Sequence, residues 1–307
     1  MSNYDNESIK AYLADADSAF KQENWPQAVK LYEQIYQEAP SFEINLALVK
    51  SLFFANQFLK AEKIANDFYE NYALDREYFY LMVSLYLNNQ SFVSAHKFIQ
   101  LAAESEWKER ALEEIQTTET IARSEFSKTI LSLSRQFRNI SEFSIEKQED
   151  ILRLVERLPL KEYLAAIKFL LLDSKTNQII RVTLIESLQY LKYDQEVDFI
   201  WIDGQTYKII PNNLKDITEF SQYQQIINYV GEVFGESLDL NEIFQSMQLH
   251  LILMYPFLDK VLIDPIAYVK NTLSYQDGTD EAFEPEIQTE YRSVINHITN
   301  NLNLNDL

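Results

Sequence analysis

The sequence predicts an all-α protein: an α-solenoid of stacked helix pairs, then a helical C-terminal region, with one small β-hairpin. Three observations predict it. Near the N-terminus an aromatic residue, two intervening residues and an alanine recur at spacings of 33 and 34 residues. Elsewhere apolar residues return every three or four positions, the period of one helix face. Glycine is scarce, 4 in 307 residues, which leaves few left-handed backbone positions for the tight turns of a large sheet.

The recurring pattern organises residues 1–108 into three helix pairs at about 9–41, 42–75 and 76–108. Trp25, Phe58 and Phe92 each follow a short polar turn and open the second helix of a pair. Ala28, Ala61 and Ala95 stand three residues further on, where two helix backbones approach closely and only a small side chain fits. Ala16, Val49 and Val83 recur on the first helices, and Pro40 stops the second helix of the first pair. One such pair cannot bury its apolar face alone, so copies stack and share a core.

Residues 109–143 read as a connecting and capping segment, built on one long or broken helix over 107–138 with a stripe that includes Ile115, Ile121, Phe126, Ile130 and Phe137. Its bases Arg123, Lys128, Arg135 and Arg138 are candidates to face the acidic repeats, with a solvated face as the preferred reading. Residues 144–307 form the helical C-terminal region. Stripes beginning at Ile151, Leu160 and Ile180 mark three short helices, similar to HEAT-type repeats. At 197–210 the period changes: two β-rich runs flank Asp203-Gly204, a strong short-range hairpin signal. A two-residue loop there pairs Ile200 with Tyr207 and Trp201 with Thr206, with apolar residues on both faces. Helices resume at 216–234, 239–254 and 264–275, and after an acidic segment from Gln276 to Glu286 a last helix falls near 287–301.

The period and residue types of the first 108 residues resemble the tetratricopeptide repeat. The usual first-helix glycine is absent in all three units, and the closing proline is present only in the first. The order of parts is similar to an uncharacterised tetratricopeptide family of low-GC Gram-positive bacteria. The residues behind that likeness are Asn177-Gln178-Ile179-Ile180-Arg181, Ile210-Pro211 and Met254-Tyr255-Pro256-Phe257. The repeat resemblance implies a peptide groove lined by the first helices, at Leu13 and Phe20, at Leu46, Lys50, Phe53 and Phe54, and at Tyr80 and Leu87. Asp17 stands where carboxylate-clamping members carry Asn, so the implied groove is apolar and aromatic, suited to an amphipathic helix or an extended apolar peptide.

Composition excludes several other functions. There is no cysteine, hence no disulfide framework, thiolate metal site or Cys nucleophile, in keeping with a cytoplasmic location. The net charge of −20 disfavours nucleic acid and anionic membranes. That charge is uneven: residues 1–106 carry 15 acids and 8 bases, 107–215 carry 17 and 16, and 216–307 carry 15 and 3. No apolar run approaches the roughly 20 residues of a membrane span, and no signal peptide is evident. Phosphate-binding and nucleophile-elbow motifs are absent, and His96, His250 and His297 have no partner at metal-ligand spacing. His96, next to the packing Ala95, reads as a helix-surface residue. The expectation is a protein- or peptide-binding scaffold with no catalytic residue, metal or cofactor and an unspecified oligomeric state. The alternatives are a self-assembling structural protein whose groove is filled internally, and a cytosolic peptide receptor.

Overall fold

The computed structural model describes residues 6–103, 105–235 and 240–276. The helix expected near 287–301 and the acidic segment from residue 277 lie outside that range. Among the described residues there are fifteen α-helices and one two-stranded sheet, an all-α fold with one small hairpin. The chain divides into two compact units. The first takes Met1–Asn139 and Ser144–Leu164; the second takes Ile140–Phe143 and the residues from Ala165 onward.

The first unit begins with three helix pairs: α1 (Asn6–Lys21) with α2 (Trp25–Glu38), α3 (Phe42–Phe54) with α4 (Phe58–Ala65), and α5 (Arg76–Asn88) with α6 (Phe92–Ile99). Local chemistry sets their starts. Asn24, Ser41 and Asp75 cap α2, α3 and α5 by accepting backbone N–H bonds, and Pro26 occupies the first turn of α2, where its missing N–H costs nothing. The turn inside each pair is the same. Glu23, Asn56 and Gln90 hold left-handed φ angles of 57°, 56° and 58°. The next residue's N–H returns to the carbonyl five positions earlier: Asn24 to Ala19 at 2.9 Å, Gln57 to Leu52 at 2.9 Å, Ser91 to Tyr86 at 2.8 Å. This closes each first helix in a Schellman turn with no glycine at the left-handed position. A β-carbon strains that conformation, so Glu23→Gly should stabilise the protein by about 0.5–1 kcal/mol despite the added unfolded-state entropy. Asn56→Gly should gain less, because Asn tolerates the region. Denaturant midpoints of the two variants check this.

Ala28, Ala61 and Ala95 are fully buried, as are Ala16, Val49 and Val83. Ala61→Leu or Ala95→Leu should therefore overpack the helix contacts and cost about 1–3 kcal/mol. Ala103→Leu, on an exposed residue, should cost less, and equal losses at all three would contradict the packing. A buried polar knot joins the second pair to its neighbours. Tyr72 donates to Asn45 Oδ1 at 2.7 Å, and the Asn45 amide donates to the Ile64 carbonyl at 2.7 Å and to Tyr36 Oη at 3.0 Å.

The stretch 107–138 is two helices, α7 (Glu106–Glu125) and α8 (Ser127–Arg138), broken at Phe126. It is followed by α9 (Ile145–Leu154). Two surface expectations fail here. His96 is 4% exposed, with Nε2 3.0 Å from Glu119 Oε1 on α7. Arg123 is not simply solvated: its guanidinium donates twice to Glu162, at 2.9 Å each, and once to Glu119 at 3.4 Å. Burial raises the Glu162 carboxyl, but the Arg123 bonds outweigh it and hold the pKa below its usual value.

Helix α10 (Leu160–Leu172) starts in the first unit; α11 (Gln178–Tyr190) lies in the second and is capped by Asn177, which accepts from Ile180 N–H at 2.8 Å. Strands β1 (Val197–Ile200) and β2 (Thr206–Ile209) form the hairpin. Its register differs from the expectation by one residue: Phe199 faces Tyr207 and Ile200 faces Thr206. Trp201 and Gln205 close the ladder, so the loop holds three residues, Ile202, Asp203 and Gly204. Gly204 takes φ +77°, and Asp203 accepts from Gln205 N–H at 2.9 Å, which favours the three-residue loop over the two-residue one. Apolar residues fall on both faces, as expected, but unequally: Val197, Phe199, Tyr207 and Ile209 share one, while the Asp198 and Lys208 pair shares the other with Ile200 and Thr206.

Four helices complete the described chain: α12 (Ser221–Phe234), α13 (Leu240–Met254), α14 (Leu258–Val261) and α15 (Pro265–Gln276). The buried Tyr255 is a hub. Its carbonyl accepts from Trp201 Nε1 at 3.2 Å and from Gln178 Nε2 at 3.4 Å, and its hydroxyl lies 2.9 Å from Gln189 Oε1. Gln178, Trp201 and Tyr255, far apart in sequence, thus meet around one peptide carbonyl.

Candidate functional site

The residues that the repeat resemblance assigns to a groove lie on α1, α3 and α5. Leu13, Phe20, Leu46, Lys50, Phe53, Tyr80 and Leu87 are half-buried, and Phe54 is 49% exposed. The helix period explains this pattern. Core contacts of α3 run through Leu48, Val49 and Leu52, all fully buried; Phe53, one turn after Val49, packs partly buried against them, while Phe54 falls on the outer side of the helix.

The structure brings some of these residues together. Phe54 stacks on Trp25, with ring centroids 4.7 Å apart and an interplanar angle of 25°. Phe20 meets Trp25 edge-on at 5.2 Å and Phe54 at 6.2 Å. Phe53 meets Phe54 at 5.8 Å and Phe58 at 5.3 Å. Five rings of the first two helix pairs therefore form one continuous cluster. Each such ring pair adds roughly 0.5–1.5 kcal/mol beyond the area it buries. The cluster mixes residues that spacing assigns to packing, Trp25 and Phe58, with residues assigned to the groove. Of the remaining packing residues, Phe92 is buried with Ala28, Ala61 and Ala95.

Tyr80 stands apart from the cluster. Its hydroxyl donates to the Trp107 carbonyl at 3.1 Å, and its ring lies beside Phe79 at 5.8 Å. Lys50 is not an open cation: Nζ is 2.6 Å from Glu77 Oε1 and sits over the Tyr78 ring at 5.4 Å. Asp17 is engaged inside the first pair, accepting from Tyr32 at 2.6 Å. Burial, with that carboxylate as acceptor, raises the Tyr32 phenol well above its usual pKa. The aromatic surface therefore offers ring faces and edges.

Sequence reasoning missed Trp25 as part of this surface, and Glu77 as the partner of Lys50. Glu77 lies 27 residues from Lys50, on the next first helix, a distance at which no local pattern reports a contact. Among the described residues, no group of three or more His, Asp or Glu side chains is placed to hold a metal ion. No helix among them is long and apolar enough to cross a membrane. Compared with protein-family models, curated proteins and solved structures, the chain matches none.

Proposed function

We propose that this chain is a protein- or peptide-binding scaffold, tetratricopeptide-like over its first 108 or so residues. It acts in the cytoplasm without a cofactor or catalysis of its own. The observation that carries the reading is the ring cluster of α1–α4, in which Phe54 stays half exposed although the protein has a large apolar core to bury it in. Rigid aromatic groups that lose little entropy on binding dominate interface energetics. Because Lys50 is held by Glu77, the fitting ligand offers apolar side chains, from an amphipathic helix or an extended peptide, rather than a terminal carboxylate.

The test is affinity capture from the native cytosol with mass spectrometry, repeated with Phe54→Ala. The variant should stay folded with a loss of about 1–3 kcal/mol, since half of the ring is already in water but its contacts with Trp25, Phe20 and Phe53 are lost. It should lose the main captured partner, at a cost of about 2 kcal/mol or more of binding free energy. Capture that survives in the folded variant would remove this surface from the working face.

A further inference from the structure

A second surface, independent of the ring cluster, lies on α8. Its twelve residues, Ser127–Arg138, carry three bases and no acid in a chain of net charge −20. Among the described helices none has a larger positive excess. The helix has two unlike sides. Ile130, Leu133 and Phe137 recur at i, i+3 and i+7, with Phe137 fully buried and the other two half-buried. Lys128, Leu131, Arg135 and Arg138 recur at i, i+3, i+7 and i+10, and all four are exposed. Leu131 is 52% exposed between bases one turn away on either side, and Phe126, just before the helix, is 40% exposed. Lys128 and Arg135 form no ion pair among the described residues, unlike Arg123 on α7, which holds two carboxylates.

A solvated face accounts for the bases alone, but not for a large aliphatic side chain exposed at their centre. We propose that this stripe docks an acidic amphipathic segment of a protein partner, with an apolar residue seated on Leu131 and carboxylates facing Lys128 and Arg135. Charge complementarity selects that occupant over other anions. Exposed charges act over about a Debye length, roughly 8–10 Å at physiological salt. A short acidic segment therefore feels mainly the stripe, whereas a membrane or a nucleic acid extends to the acidic remainder of the chain and is repelled.

The probe is an acetylated helical peptide of about 15 residues, long enough for marginal helicity. It carries Leu at its centre, Glu on the same face one turn before and one and two turns after it, and a neutral background. Its fluorescence anisotropy is followed with the purified full chain. The peptide should bind, more weakly as salt rises. Lys128→Glu with Arg135→Glu should weaken it by about tenfold or more, and Leu131→Ala by several-fold. Lys128→Gln with Arg135→Gln should give a smaller loss, and all the variants should keep wild-type circular dichroism because the altered residues are exposed. Phe54→Ala should leave this binding unchanged, which separates the stripe from the ring cluster. The proposal is overturned if the peptide does not bind, or if it binds the charge-reversed chain equally well. It is also overturned if phosphatidylserine vesicles or an oligothymidylate bind in a way that depends on Lys128 and Arg135 and displace the peptide.

Discussion

Replacing Glu119 by alanine should lower the stability of the protein by about 2–4 kcal/mol, since a buried donor left without its acceptor costs about 1–3 kcal/mol and more than one is left here. Glu119 is 5% exposed and serves three donors at once. His96 Nε2 lies 3.0 Å away, the backbone N–H of Leu160 donates at 2.7 Å, and Arg123 Nη2 donates at 3.4 Å. Without the carboxylate, a buried imidazole and the first N–H of α10 lose their acceptor, and water has little access to replace it. Glu119→Gln keeps one acceptor oxygen and should lose less. Urea denaturation of the two variants makes the comparison. A loss below about 1 kcal/mol for the alanine variant would mean that water replaces the carboxylate, as at an ordinary surface position.

Acid should destabilise the second unit through His250. Burial pushes its imidazole down from the usual 6.5 to about 4, and Nδ1 sits 2.8 Å from the Tyr268 hydroxyl. The neutral ring can accept that hydroxyl proton; the protonated ring cannot. The sign follows from which state binds the proton more readily. Between pH 6.5 and 4 the unfolded chain takes it up while the folded chain resists. The stabilisation is thus fully present above 6.5 and is lost as the pH falls through that window. A depression of that size corresponds to about 3 kcal/mol at most, and partial exposure of the ring reduces it to about 2 kcal/mol. Measured from neutral pH to the acid end of the window, His250→Gln should lose less stability than wild type by that amount. Parallel pH profiles would show that His250 titrates alike in both states.

Much of the fold was legible because its signals are local. The alternation of aromatic and alanine at Trp25 and Ala28, Phe58 and Ala61, Phe92 and Ala95 located three helix pairs. Each signal spans a single helical turn. Asp203-Gly204 located the hairpin, yet the same dipeptide closes loops of two or of three residues. The three-residue loop has Gly204 at positive φ and Asp203 also holding the Tyr207 hydroxyl at 2.7 Å. His96 looked like a surface residue because its partner comes 23 positions later, on another helix. Glu119 could not be singled out among 47 acids, since only burial distinguishes it from a solvated one. The ring cluster was half legible: the residues were named, but the stacking of Phe54 on Trp25 joins two helix pairs and has no sequence signature.

By itself, then, the sequence determined the helical class, the period of the first three helix pairs and the place of the single hairpin. Each of these rests on interactions within about one or two turns of chain, where backbone preference and side-chain spacing act directly. The tertiary structure alone decided the strand register and the grouping of Ile140–Phe143 with the residues from Ala165 onward. It also decided that Lys50, His96 and Arg123 are engaged with carboxylates while Lys128 and Arg135 remain in water. Those outcomes depend on desolvation and on charges brought together from distant positions, and neither quantity exists until the chain has packed.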